Sequence, residues 1–118
     1  MNWGINMKIG AFSKKYNISE STVRYYIDLG LLVPNKINKQ YVFDERCCER
    51  LQLIKKLKNI NFSLEEISNI LLFLLIIEVG EKECDKYFAN LFENKKKELI
   101  KQRKEINSKI HDINSEID

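Results

Sequence analysis

The chain has 118 residues, 44% of them hydrophobic, which is enough for one compact domain or a small domain with one extended element. Its longest apolar run, residues 70–77, is far shorter than the roughly 20 residues that a membrane helix needs, and its three cysteines match no disulfide framework. The formal net charge is +3, but residues 1–62 carry eleven Lys and Arg against five Asp and Glu. We therefore expect a cytoplasmic protein whose first half is able to meet phosphate groups.

Residues 10–16 are predicted to form a first short helix, because Ile9, Phe12 and Tyr16 have the spacing of an inward face. Asn17, which tolerates a left-handed conformation, follows this helix and begins a short turn. A second helix starts directly after the turn. The pattern predicts a helix-turn-helix, in which the first helix braces the second.

The second helix lies within residues 19–34 and has signals at both ends. Ser19 is a predicted N-cap, Gly30 suits the left-handed position after a helix, and Pro34 prevents continuation. The inward face is predicted to hold Val23, Ile27 and Tyr26, and the outward face to hold Ser21, Thr22, Arg24, Tyr25 and Asp28. Hydroxyls, a cation and an aromatic ring on the first half of a helix suit a DNA major groove, although an ordinary surface helix has the same polarity.

Residues 35–43 favour a small two-stranded wing over a plain loop. Ile37, Tyr41 and Phe43 flank a polar centre, and Asn38-Lys39 occupies the position of a tight hairpin turn. Lys36 and Lys39 would then reach phosphates beside the second helix.

A third helix is predicted over residues 45–59 with Asp44 as its N-cap, and its buried stripe should contain Cys47, Cys48, Leu51, Ile54 and Leu57. Lys55, Lys56 and Lys58 near its end would either interact with the helix dipole or bind phosphates.

A fourth helix should open with a capping box, Ser63 and Glu66, and a hydrophobic staple, Phe62 and Ile67. It should run to about Phe73, and its expected inner face contains Leu64, Ile67, Ile70, Leu71 and Leu74. Residues 73–77 are more apolar than a free surface helix, so we expect them to pack beneath a neighbouring element or a partner chain.

Residues 83–117 are predicted to form one long helix after a break at Gly80, with a 3.5-residue apolar repeat typical of a coiled coil. A solitary helix of this length cannot bury such a stripe against a small domain, which favours a second copy over a hairpin back onto the same chain. The expected dimerisation residues are Phe92, Leu99, Ile106, Ile110, Ile113 and Ile117. The domain prediction is a DNA-binding domain over 7–75, a linker over 76–82 and a dimerisation helix over 83–118.

Three segments together resemble the MerR family of bacterial transcription regulators: Met-Lys-Ile-Gly-Ala-Phe-Ser at 7–13, the capped helix at 19–34 and Phe-Ser-Leu-Glu-Glu-Ile at 62–67. The resemblance implies a mainly α fold, with a winged helix-turn-helix followed by a long helix that dimerises as an antiparallel coiled coil. It also implies a homodimer that binds a near-palindromic operator in double-stranded promoter DNA and alters transcription by distorting that DNA. RNA polymerase would be a further partner at the promoter.

The same resemblance assigns roles to individual residues. The recognition helix would contribute Ser21, Thr22, Arg24 and Tyr25, the wing Lys36, Lys39 and Tyr41, and the third helix Lys58. One departure is Val42, which stands where the family wing usually has an arginine, so a contact to DNA is missing. The sequence also stops where the coiled coil ends, from which we expect no separate effector-binding domain and no cysteine-bearing loop.

We expect no metal and no cofactor. Cys84 lies where metal-sensing relatives place one ligand, but His111 is the only histidine, so the set is incomplete. Cys47 and Cys48 point about 100° apart on a helix, and all three cysteines are interpreted as buried and structural.

The sequence has no Gly-rich phosphate loop and no nucleophile paired with a histidine, so we do not expect an enzyme. A protein-interaction module with weak or lost DNA binding remains the alternative; Val42 favours it, whereas Arg24 and the basic first half favour the regulator.

Overall fold

The computed structural model describes residues 6–76 and 81–117, which belong to two compact units divided between Leu75 and Ile76. The mainly α fold is confirmed. In chain order the elements are α1 (Ile9–Lys15), α2 (Glu20–Asp28), β1 (Asn35–Ile37), β2 (Gln40–Val42), α3 (Glu45–Asn59), α4 (Leu64–Ile76) and α5 (Glu81–Ile117). Within the described ranges, none of the helices combines the length and apolar character that crossing a membrane requires.

Local hydrogen bonds form the helix-turn-helix as predicted. Asn17 has φ of 51°, and the Ile18 amide donates to the Ser13 carbonyl over 3.0 Å, which closes the turn after α1. Ser19 Oγ accepts from the Thr22 amide over 3.1 Å and caps α2. Gly30 has φ of 77°, the conformation that ends α2 and that a side chain would strain.

The wing is confirmed as an antiparallel pair with Lys36 opposite Tyr41. Asn38 and Lys39 have φ of 50° and 66°, as a two-residue type I′ turn requires. The extended lead-in also pairs with this region, since Met7 and Phe43 exchange both backbone hydrogen bonds, over 2.9 and 2.7 Å. The wing is therefore anchored at its base to the start of the chain.

One core holds the first unit together. Phe12 of α1 stacks on Phe43, which follows β2, with ring centroids 4.3 Å apart. Asp44 caps α3 by accepting from the Cys47 amide, as predicted. The stripe predicted on α3 is buried in full: Cys47, Cys48, Leu51, Ile54 and Leu57.

The capping box of α4 forms both of its bonds, Ser63 amide to Glu66 Oε1 and Glu66 amide to Ser63 Oγ, at 2.9 and 3.1 Å. The helix extends to Ile76 rather than Phe73, because the residues after Phe73 are good helix formers with no breaker before Gly80. The predicted burial of Leu74 is wrong: it is 45% exposed, because it lies in the last turn, beyond the part of α4 that Ile67 and Ile70 hold in the core.

The second unit contains α5, a single helix of 37 residues that begins two residues earlier than predicted. Part of the predicted linker and of the apolar stretch at 73–77 lies in residues 77–80, outside the described residues. All six predicted dimerisation residues are exposed in the single chain, from 37% at Leu99 to 75% at Ile117.

Candidate nucleic-acid interface

The N-terminus of α2 carries a cluster of hydroxyl groups. Ser19 Oγ lies 2.8 Å from Thr22 Oγ1 and 3.1 Å from Ser21 Oγ, and it also caps the helix. Ser21 is exposed and Thr22 is half-buried. The positive end of the α2 dipole and these hydroxyls together form a surface that favours an anion.

Consecutive tyrosines on α2 point to different environments. Tyr26 is 4% exposed and belongs to the core with Val23, whereas Tyr25 is 51% exposed and its ring lies 6.4 Å from that of Tyr26. Arg24 is also exposed. The core therefore fixes the rotation of α2, and this rotation presents Arg24 and Tyr25 to solvent on a firmly held helix. Ile27, predicted to lie inward, is half-buried.

The wing holds its cations beside an aromatic ring. Lys36 Nζ lies 5.2 Å from the centre of the Tyr41 ring, which in turn lies 6.3 Å from the Phe43 ring in the core. Lys36 is thus oriented by its cross-strand partner. Lys39 is exposed at the tip of the turn, and Val42 is half-buried.

The lysines near the end of α3 separate into two roles. Lys55 Nζ donates to the backbone carbonyl of Tyr16, at the end of α1, and so connects α3 with the helix-turn-helix. Lys58 is exposed and lines a cavity of about 350 Å³ with Asn17, Thr22 and Asn59, beside the N-terminus of α2. Lys58 is therefore placed to act together with α2, while Lys55 is already engaged within the protein.

Two arginines that the sequence reasoning missed lie near the base of the wing. Arg46 and Arg50, with Asp44 and Asn35, line a cavity of about 330 Å³. Arg46 Nε is 3.9 Å from Asp44 Oδ2, and its side chain is 90% exposed. The signal that would have indicated them is their spacing of four residues, which places both on one side of α3.

The cysteines are not arranged as a metal site in the part of the chain that the structure describes, where no group of three or more potential ligands occurs. Burial, and then the nearby Asp44 carboxylate, raise the pKa of the Cys47 thiol, which makes it a poor nucleophile at neutral pH. Burial and a hydrogen bond with Cys48 raise the pKa of Tyr16 to about 12. Cys84 is only half-buried, so the expectation that all three cysteines are buried is wrong for this position.

The family model described as MerR HTH family regulatory protein matches residues 7–74, a range that contains α1 to α3, the wing and most of α4. The chain belongs to this family. The match includes every residue assigned above to the recognition helix, the wing and the end of α3.

Relatives with named functions agree with this membership. The chain is 32% identical over 111 residues to an HTH-type transcriptional regulator ZntR homolog of Haemophilus influenzae, covering 91% of this chain and 73% of that protein. It is 29% identical over 82 residues to a mercuric resistance operon regulatory protein of Bacillus cereus, covering 68% of this chain. The aligned region spans 60% of the B. cereus protein's length.

Solved structures agree with the fold. A MerR-family transcriptional regulator from Bacillus cereus has a TM-score of 0.72 at 24% identity and covers 87% of this chain and 73% of its own. The crystal structure of HiNmlR, described as a MerR family regulator lacking the sensor domain and bound to promoter DNA, has a TM-score of 0.65 at 25% identity and covers 89% and 78%.

Proposed function

We propose that this chain is a homodimeric transcription regulator that binds a near-palindromic operator in double-stranded promoter DNA. The observation that carries the proposal is the outward face of α2, where Arg24 and Tyr25 are exposed while Val23 and Tyr26 fix the helix in the core. A helix held in this way presents its side chains to the major groove with its backbone already ordered.

Contacts to the DNA backbone would come from both sides of α2. Lys36 and Lys39 on the wing, with Tyr41, supply cations and a hydroxyl, and Lys58 supplies another cation beside the start of α2. These contacts position the protein, whereas Arg24 is the residue with the geometry to read a base edge.

The proposed mode of regulation is distortion of the promoter. Two copies joined through α5 would bind two half-sites, and the energy needed to bend or untwist the intervening DNA would set the response of RNA polymerase. The DNA-bound state of HiNmlR, a relative of the same fold, supports a role on promoter DNA. A regulator of this kind works on the bacterial chromosome, in the cytoplasm.

A binding titration at two salt concentrations tests the proposal, with the DNA upstream of the chain's own gene as the probe. Because each neutralised phosphate releases counterions, we expect affinity to fall steeply as salt rises, and we expect Lys36→Ala to reduce that slope by about one. Lys101→Ala, an exposed lysine on α5 that removes the same charge, is the matched control and should leave the slope unchanged.

The other outcome identifies the alternative function. A chain that binds neither this DNA nor any selected duplex, and in which Arg24→Ala changes nothing, would be a protein-interaction module with a MerR-like fold. Val42 in place of the usual wing arginine is the residue that makes this outcome worth testing.

A further inference from the structure

The cavity at the base of the wing, about 330 Å³ in volume, lies where three segments of the first unit meet. Its walls come from the end of α2, from the connection that leads into β1 and from the start of α3. The side chains that give it its character are those of Leu31, Val33, Asn35, Asp44, Arg46 and Arg50. None of them takes part in the DNA contacts proposed above, so the cavity is a separate feature of the same unit.

Arg50 is the most informative residue of this lining. It is half-buried on α3, yet within residues 6–76 and 81–117 its guanidinium forms no ion pair and no hydrogen bond. A guanidinium is always charged and carries five N–H donors, and burial without a partner is unfavourable for such a group. A half-buried cation in this state favours an anion in the cavity beside it.

Arg46 adds a second guanidinium at the rim of the cavity. It lies four residues before Arg50, on the same side of α3, and its side chain is 90% exposed. Asp44 Oδ2 is 3.9 Å from Arg46 Nε, beyond hydrogen-bond reach, while Asp44 Oδ1 accepts from the Cys47 amide over 3.1 Å. One carboxylate thus faces two guanidiniums, so the lining keeps a positive charge that an anion would neutralise.

The remaining wall of the cavity is apolar. Leu31 is buried beneath it, whereas Val33 is 79% exposed and presents its methyl groups to water. A phosphate ion would leave this apolar surface uncovered, but a ligand with an apolar body would remove it from water. A small cavity that combines apolar walls with a few convergent polar groups is typical of a small-molecule site.

We propose that this cavity binds a small organic acid, in which a carboxylate is attached to an apolar body. The carboxylate would accept two parallel hydrogen bonds from the Arg50 guanidinium, and Arg46 would approach it from the rim. The apolar body would pack against Leu31 and Val33. Binding of this ligand requires neither DNA nor a second copy of the chain, so it succeeds or fails independently of the proposed function.

An NMR titration of the full chain with naphthoate tests the proposal, because naphthoate joins a carboxylate to a flat apolar body. We expect saturable changes in amide chemical shift, largest at Gly30, Asn35 and Arg50, with a dissociation constant of about 0.1–1 mM. Two analogues separate the contributions to binding. Naphthamide lacks the charge and acetate lacks the apolar body, and each should bind at least about 10-fold more weakly.

Substitution of Arg50 tests the anchor for the carboxylate. Arg50→Met keeps an aliphatic stem and removes the guanidinium, so it should weaken naphthoate binding at least about 10-fold and leave naphthamide binding unchanged. Arg103→Met, at an exposed arginine of α5, is the matched control and should bind naphthoate as the unmodified chain does. If thermal unfolding shows that Arg50→Met does not fold, Arg46→Met replaces it, with an expected loss of about threefold because its guanidinium lies at the exposed rim.

The opposite results overturn the assignment in distinguishable ways. If about 10 mM naphthoate produces no saturable shifts, or if the arginine variants bind it as the unmodified chain does, the cavity is not a site for organic acids. Inorganic phosphate that binds as tightly as naphthoate would show a simple phosphate site, which a DNA backbone could occupy. A glutamate-rich peptide that binds more tightly than naphthoate would assign the surface to a partner protein instead.

Discussion

The helices α2 and α5 differ in what holds them in place. In α2, Ser19 and Gly30 fix the ends and Val23 and Tyr26 bury one side, so the polar side is presented by the protein itself. In α5 the apolar stripe is exposed in the single chain, and in the proposed homodimer a second copy would bury it. If the proposed function is right, base recognition depends on the core of the first unit, whereas binding of two half-sites depends on association of two copies. These two properties should therefore respond to different substitutions.

Disrupting the stripe should have the largest effect. Ile106→Glu with Ile110→Glu places charges at the centre of the proposed dimer interface, so we expect a single chain at micromolar concentration and at least a 100-fold loss of operator affinity. Sedimentation and a binding titration measure both. The control, Lys104→Glu, changes an exposed residue outside the stripe, and equal loss in the control would remove the stripe from the explanation.

Truncating Arg24 should weaken recognition without affecting the dimer. We expect Arg24→Ala to lower operator affinity by about 1–3 kcal/mol per half-site and to relax preference at one base pair, as loss of a base-edge contact does. Affinity measured on operators with each base substituted checks the prediction. Lys101→Ala, at an exposed cation of α5 outside the candidate interface, is the control. Identical behaviour of the two variants would contradict a special role for α2.

Two of the three lysines of α3, Lys55 and Lys58, sharpen the comparison within the first unit. Lys58→Met should reduce the salt slope of DNA binding by about one, because it removes a phosphate contact. Lys55→Met should leave the slope unchanged and lower stability by less than about 1 kcal/mol, since it removes an exposed hydrogen bond to the Tyr16 carbonyl. Thermal unfolding measures the stability of the two variants, and DNA-binding titrations at several salt concentrations measure their salt slopes. A reduced slope for Lys55→Met would show that it contacts DNA as well.

The smallest effect is expected at the tip of the wing. Lys39 has φ of 66°, so Lys39→Gly should stabilise the hairpin by about 0.5–1 kcal/mol while weakening DNA binding through loss of a cation. Unfolding by denaturant measures the change in stability, and a binding titration measures the change in DNA affinity. Lys39→Ala removes the same charge but keeps a side chain at the positive φ, so the backbone strain remains. It should therefore weaken DNA binding without raising the free energy of unfolding.

Much of the fold could be predicted because its signals are local. Ser19, Asp44 and the pair Ser63–Glu66 lie within three residues of the groups they cap, and Asn38-Lys39 forms the turn that its own residues favour. The exposure of Leu74 and Cys84 could not be predicted, since it depends on which neighbours reach them. The bond from Lys55 to Tyr16 joins residues 39 positions apart, and a cluster of lysines gives no indication of it.

The site was predictable to a similar extent. The outward placement of Arg24 and Tyr25 follows from helical spacing once Val23 is assigned to the core. The orientation of Lys36 over the Tyr41 ring depends on strand register, and the proximity of Arg46 and Arg50 to the wing depends on how α3 packs. Composition locates the positive charge within the first half of the chain, but only the fold shows which cations share a surface with α2.

The central claim is that two copies of this chain bind one operator through their α2 helices. Sedimentation of a labelled promoter duplex with increasing protein measures the stoichiometry directly, and footprinting of the same complex locates the contacts. The account predicts two chains per duplex, two protected half-sites related by a dyad, and loss of both in the Arg24→Ala variant at concentrations that saturate the unmodified chain. A complex of one chain per duplex, or protection that survives Arg24→Ala unchanged, would contradict it.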